Sequence, residues 1–119
     1  MANFKSAQLI TGSYAKTGTA AVALIPALEV KNEDRVSFQF YNDDADSGGD
    51  VVKVYGRLGA TAGTLGSAAE WTQIGDNITV SGGASMLKSI ATTGLYWVGA
   101  TVTPATGSDN ITYAMLVQA

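Results

Sequence analysis

The chain has 119 residues and carries a formal net charge of −3, from seven Lys or Arg and ten Asp or Glu. It is 14% charged, whereas a typical soluble domain is about one quarter charged. It contains no histidine and no cysteine, which removes the commonest catalytic base, the thiol nucleophile and most zinc ligands. The basic residues are too few for a nucleic-acid footprint, and no apolar run is long enough for a membrane helix. We therefore expect a non-enzymatic assembly or binding protein with no cofactor, no nucleic-acid partner and no membrane partner.

The first half of the chain shows the two-residue alternation of apolar and polar side chains that is typical of half-buried strands. Its length suits a single domain over residues 1–119, with 1–8 as a possible N-terminal arm. A strand is expected within Phe4–Tyr14, and a second over Ala20–Ile25 is expected to end before Pro26. The clearest strand is Arg35–Asn42, where Val and Phe alternate with polar residues and Tyr.

The second half continues the same pattern. Further strands are predicted over Asp50–Leu58, Glu70–Ile74, Asn77–Val80, Ala84–Ile90, Leu95–Thr103 and Asn110–Val117. Gly75 and Asp76 predict a tight turn between Glu70–Ile74 and Asn77–Val80. The last two strands are expected to form a hairpin with a loop of about six residues.

These elements predict an all-β fold, an antiparallel β-sandwich of about eight strands. Within that class the jelly-roll arrangement is favoured slightly over the immunoglobulin-like one. The chain lacks the cysteine pair bracketing a tryptophan that is the hallmark of immunoglobulin domains, and its count of about eight strands suits a jelly roll.

The segment between the strands Arg35–Asn42 and Asp50–Leu58 is the sharpest polar cluster. Calcium takes six to eight oxygen ligands, and Asp44, Asp46 and Asp50 offer several. The spacing does not match an EF-hand loop, and Asp, Ser and Gly are ordinary turn formers. A plain solvated connection is therefore the favoured interpretation, with a weak calcium site as the alternative.

Large aromatic side chains are the remaining candidates for binding. Phe4, Tyr41, Tyr55 and Trp71 are predicted interface residues on the basis of their size and expected exposure. Trp71 is expected to be half-exposed because polar residues flank it. A sugar-stacking platform, as in carbohydrate-binding modules, is an alternative role for the aromatic residues Tyr41, Tyr55, Trp71, Tyr96 and Trp97.

The stretch Glu70–Ala119 contains the strings WTQIG at 71–75, ITV at 78–80, LYWVGATVT at 95–103 and NITYAMLV at 110–117. Together with the Ala-, Gly-, Thr- and Val-rich, cysteine-free character of the whole chain, these strings resemble small β-sandwich virion proteins of tailed bacteriophages, such as capsid decoration or cement proteins. The resemblance implies a homo-oligomer, often a trimer, docked on a capsid lattice beside the major capsid protein or another virion protein.

The leading hypothesis is a capsid decoration subunit that stabilises a shell by packing of its neutral faces. Its expected location is the virion, after synthesis in the host cytoplasm without a signal peptide. Two alternatives stay open: a carbohydrate-binding module, and a phage neck or tail component or another external assembly subunit.

Overall fold

The computed structural model describes residues 7–44 and 49–119. Nine strands occur in these ranges: β1 Ala7–Ala15, β2 Val22–Glu29, β3 Arg35–Asn42, β4 Asp50–Arg57, β5 Thr72–Gln73, β6 Ile78–Val80, β7 Ser85–Ala91, β8 Trp97–Thr103 and β9 Asn110–Gln118. Within the described residues, no helix is long and apolar enough to cross a bilayer.

The strands form two antiparallel sheets. Sheet A has the order β1-β9-β3-β7, and sheet B has the order β2-β8-β4, with β5 and β6 both paired to the far side of β4. The inner faces of the two sheets supply one hydrophobic core. The predicted all-β antiparallel sandwich is therefore confirmed.

The two clearest predicted strands contribute much of the core. In β3 the side chains of Val36, Phe38 and Phe40 are buried, and in β4 Val52 and Val54 are buried. The rings of Phe38 and Phe40 stack with their centroids 5.8 Å apart. Because each fully buried side chain of this kind stabilises the fold by about 1.5–3 kcal/mol, the strict alternation fixes which face of each strand turns inward.

Two predicted strand connections differ in the structure. β5 and β6 do not form a hairpin with each other, because both pair with β4, through Thr72 opposite Gly56 and Ile78 opposite Val52. Residues 74–77 therefore interrupt one edge of sheet B. β8 and β9 do not form a hairpin either, since β8 lies in sheet B and β9 in sheet A. Alternation shows which face of a strand is buried but not which strand is its neighbour.

The boundaries of the first two strands also differ from prediction. β2 runs through Pro26 to Glu29 and does not end before the proline. This is possible because β2 is an edge strand, where a residue without a backbone N–H costs no ladder hydrogen bond when it faces outward. Ala7 and Gln8, assigned to the possible arm 1–8, pair with Gln118 and Val117 in β1. The rest of that segment lies outside the described residues.

Candidate interaction surface

The outer surface of sheet A is a broad face with almost no charge. The core residues of β3 point inward, so the strand register places the alternate positions of all four strands on the outside. We call this surface face A; it consists of Ala7, Leu9, Thr11, Ser13, Arg35, Ser37, Gln39, Tyr41, Ser85, Leu87, Ser89, Ala91, Thr112, Ala114, Leu116 and Gln118. Arg35, at one end, is its one charged residue.

Face A carries two exposed leucines and one depression. Leu9 and Leu87, on its two edge strands, are 65% and 75% exposed. A depression of about 520 Å³ is lined by Tyr41 together with the polar residues Thr11, Ser13, Gln39, Ser85 and Thr112. Isolated exposed leucines are common on protein surfaces, and antiparallel sheets often have one solvated face, so the near absence of charge is the feature that distinguishes face A.

The outer surface of sheet B is different because residues 58–71 fold over it. The Arg57 guanidinium donates hydrogen bonds to the carbonyls of Thr61 and Glu70, both at 2.8 Å. The Trp97 indole N–H donates to the Gly59 carbonyl at 3.0 Å. This connection therefore uses the outward-facing polar groups of β4 and β8 to hold itself against the sheet.

Apolar packing completes the cover on sheet B. A Cβ atom at Gly99 would lie 2.7 Å from Cδ1 of Leu65, so the leucine occupies the space left by the missing side chain. Trp71, at the end of the covering segment, is 3% exposed, and its backbone N–H donates to the Ser67 carbonyl. The outer side of sheet B is thus covered by the chain itself, whereas no segment within residues 7–44 and 49–119 covers face A.

A buried ionic cluster fixes one end of the sandwich. The Lys16 ammonium donates to Asp50 Oδ2 and to Asn42 Oδ1, each at 2.9 Å, and the side chains of Lys16 and Asp50 are 0% exposed. The backbone N–H of Ala105 donates to the second Asp50 oxygen at 2.9 Å. Asn42 also donates to the Val80 carbonyl at 3.0 Å. The cluster ties together the ends of β1, β3, β6 and β8 and the start of β4.

The structure places two of the three predicted calcium ligands in structural contacts. Both oxygens of Asp50 accept hydrogen bonds within the ionic cluster. One oxygen of Asp44 accepts from the hydroxyls of Thr106 at 2.6 Å and Ser108 at 3.3 Å. Asp46 lies outside the described residues. Among those that are described, no group of three or more His, Cys, Asp or Glu side chains could hold a metal ion.

The four predicted interface aromatics do not lie together. Tyr41 is 39% exposed on face A, whereas Tyr55 is half-buried on the outer side of sheet B. The expected exposure of Trp71 is wrong, because the covering segment 58–71 buries it. Phe4 lies outside the described residues.

Sequence reasoning missed face A because its residues are mostly small and polar and form no motif. The signal that could have found it is the run of uncharged outward positions in β1, β3, β7 and β9, which becomes visible only once these strands are assigned to one sheet.

Comparison with known proteins adds a likeness of fold. No family model and no curated protein matches the chain. A pilus protein of Bacillus endospore appendages, described as disulfide-linked, is 13% identical with a TM-score of 0.61, over 97% of this chain and 87% of that one. The SPBc2 prophage-derived protein YomS is 14% identical with a TM-score of 0.64, over 100% and 98%. The PBSX exported protein XepA is 13% identical with a TM-score of 0.66 over 96% of this chain, which spans 37% of XepA. At such identities the likeness establishes the fold alone.

Proposed function

We propose that the protein is a non-enzymatic structural subunit of an external assembly, and specifically a decoration subunit of a tailed-phage capsid. The observation that carries the proposal is the contrast between the two sheets. Segment 58–71 covers the outer side of sheet B, whereas no segment among the described residues lies over the nearly uncharged face A. A nearly uncharged sheet face that no described segment covers, on a sandwich whose other outer face is covered, suits a partner that packs against it.

The composition of face A suits contact with a shell surface of similar chemistry, rich in apolar and hydroxyl groups. Few charges need to be stripped of water when such surfaces meet, so the desolvation cost is small. Face A has four strands about 4.8 Å apart and seven to nine residues long, which gives a flat area of roughly 500 Å². This is below the ~800 Å² per partner of a standard interface, so one contact would be weak. Several linked contacts on a repeating lattice would make it strong by avidity.

The strand order supports the same assignment. When β5 and β6 are counted as one interrupted edge, each sheet has four strands, and the chain changes sheets at nearly every connection. This order favours the jelly roll, a double-sheet architecture used by viral capsid domains and by lectins. The fold likeness to the prophage-derived protein YomS, to the exported protein XepA and to a pilus protein fits an external structural role.

The direct test is the composition of phage particles purified from the cells that carry the gene. We expect mass spectrometry to find the chain in many copies per particle, and immunogold labelling to place it on the head. Labelling on the tail alone would contradict the decoration role, and absence from the particles would contradict the virion role.

Substitution on face A provides a sharper test. Leu87→Lys is expected to weaken binding to particles that lack the protein by at least tenfold, because an ammonium group would have to lose its water at the contact. Leu58→Lys is the matched control, since Leu58 is 73% exposed, close to the 75% of Leu87, but lies off face A. Binding would be measured by co-sedimentation. Equal loss in both variants, or in neither, would contradict the assignment of face A.

Carbohydrate binding is a second candidate, favoured by the depression around Tyr41. An aromatic residue surrounded by serine and threonine residues suits a sugar, which stacks on aromatic rings and exchanges hydrogen bonds with polar side chains. If this is the function, the protein is expected to be retained on a polysaccharide affinity gel, and Tyr41→Ala is expected to abolish the retention. Tyr55→Ala is the control, because Tyr55 lies on the other sheet.

A further inference from the structure

The edges of the two sheets differ in how well they are protected from pairing with another chain. An exposed edge strand presents unpaired backbone N–H and C=O groups and is a template for strand addition. On sheet B, the edge strand β2 contains Pro26 and two register shifts against β8. The opposite edge is made of β5 and β6, which are only two and three residues long. Both edges of sheet B are therefore poor templates.

On sheet A, the edge strand β7 carries a protecting charge. Lys88 lies opposite Phe38, a core residue, so its side chain starts from the inner side of the sheet. Its ammonium group reaches the turn at Gly75, where a Cβ atom would lie 3.0 Å from Nζ. An inward-pointing charge at a sheet edge is one of the devices that prevent edge-to-edge association.

The remaining edge strand, β1, has none of these devices. Ala7–Ala15 contains nine residues with no charge and no proline. It pairs with β9 without a register shift, from Ala7 opposite Gln118 to Ala15 opposite Asn110. No described strand pairs with its other side. The first charged residue after it, Lys16, is committed to the buried ionic cluster. β1 is thus a long, regular and neutral edge.

We propose that β1 pairs antiparallel with β1 of a second copy of this chain, which joins the two sheets A into one continuous eight-stranded sheet. The partner is a second copy because β1 of one copy is compatible with β1 of another. It is uncharged along its whole length, so neither register nor direction brings like charges together. The other sheet edges of the described chain are short, kinked or charged.

The pairing has a two-fold axis perpendicular to sheet A, which places the two copies of face A side by side. The joined face then offers roughly twice the flat area of one copy, about 1,000 Å² by the same strand geometry. A two-fold contact gives an even number of subunits, which differs from the trimer that the resemblance implies. The proposal does not depend on the virion role, because it concerns only the contact between copies.

Cysteine cross-linking tests the pairing directly, because the natural chain contains no cysteine. Leu9→Cys, Thr11→Cys and Ser13→Cys each put one thiol on the outer side of β1, and Leu87→Cys puts one on the opposite edge of face A. In an antiparallel pair the residue numbers rise along one strand and fall along the other, so the two numbers of each facing pair add up to the same total. If the axis passes through Thr11, then Thr11→Cys cross-links to itself, and Leu9→Cys cross-links only when mixed with Ser13→Cys. If the axis lies one residue to either side of Thr11, no variant cross-links to itself. The cross-link then forms only when Thr11→Cys is mixed with Leu9→Cys or with Ser13→Cys.

The expected result under a mild oxidant is one cross-linked combination within β1 and no dimer from Leu87→Cys. Absence of any cross-link among the β1 variants, or equal cross-linking of Leu87→Cys, would overturn the proposal. Circular dichroism and thermal melting identify a variant that has not folded, and the three β1 positions provide independent readings.

Light scattering on the native chain gives a second measurement. We expect a mass of twice 12.2 kDa at high concentration. The double variant Leu9→Lys with Ser13→Lys should shift the dimer dissociation constant at least tenfold, because it places like charges across the paired strands. Leu87→Lys with Ser89→Lys changes face A equally but leaves β1 intact, so it should stay dimeric while losing particle binding. A native monomer at all concentrations would refute the pairing, whereas loss of particle binding alone concerns only the proposed function.

Discussion

Replacing Lys16 by methionine is expected to lower the free energy of unfolding by about 3–5 kcal/mol, which is the cost of breaking a buried ion pair from one side. The Lys16 ammonium is held by Asp50 and Asn42 with both side chains of the ion pair fully buried. Methionine fills most of the space of the lysine stem but leaves the Asp50 carboxylate in the interior without its cation. Urea unfolding followed by circular dichroism measures the loss.

The chain provides a matched control for this experiment. Lys31 and Glu29 form an ion pair with the same 2.9 Å distance, but their side chains are 49% and 43% exposed. Lys31→Met is expected to cost no more than about 1 kcal/mol, because solvent screens an exposed pair. A cost for Lys16→Met as small as that for Lys31→Met would show that the Asp50 carboxylate finds another partner or is reached by water.

The buried cluster also bears on the surfaces proposed for contact. Lys16 follows β1 directly, and Asn42 ends β3, so two strands of sheet A are anchored to the start of β4 in sheet B. An edge strand fixed at its end loses less conformational freedom when it pairs with another chain. The cluster therefore preorganises β1 for edge pairing. Lys16→Met should weaken the dimer as well as destabilise the fold.

The sequence predicted the strands of the sandwich well where alternation was strict. β3 has the predicted bounds, Arg35–Asn42, and β4 differs by one residue at Leu58. The neighbours of the strands were not predictable in the same way. The turn residues Gly75 and Asp76 suit a hairpin, yet β4 extends past both β5 and β6 and pairs with each. Such long-range pairings are set by packing of the whole sheet and leave no local pattern.

The candidate surfaces were harder to predict than the fold. Lys16 and Asp50 are 34 positions apart, and nothing around Lys16 distinguishes it from a solvated lysine at the end of a strand. The prediction for Trp71 failed because its polar neighbours, Glu70 and Thr72, suggested exposure, whereas the covering segment 58–71 is what decides it. The low charge of the chain did indicate a contact surface, but only the sheet order shows that the neutral positions of β1, β3, β7 and β9 collect on one side.

Trp71→Ala is expected to lower the free energy of unfolding by about 3–5 kcal/mol, as is typical for truncation of a buried tryptophan. Trp71 is 3% exposed, and its indole N–H has no hydrogen-bond partner among the residues that the structure describes. A buried donor without a partner costs about 1–3 kcal/mol. Trp71→Phe keeps most of the apolar ring and removes that donor. The loss from the smaller ring and the gain from removing the unpaired donor should nearly cancel, so the free energy of unfolding should change by no more than about 1 kcal/mol.

Trp97 supplies the control, because its indole N–H donates to the Gly59 carbonyl at 3.0 Å. Trp97→Phe removes this bond and one of the anchors of the covering segment, so it should cost about 1 kcal/mol for the bond in addition to lost contact area. Trp97→Phe should therefore be more destabilising than Trp71→Phe, although Trp97 is the less buried of the two. Denaturant unfolding of both variants decides the order. The reverse order would mean that the Trp71 N–H is satisfied, for example by a water molecule, and that the covering segment does not depend on its bond to Trp97.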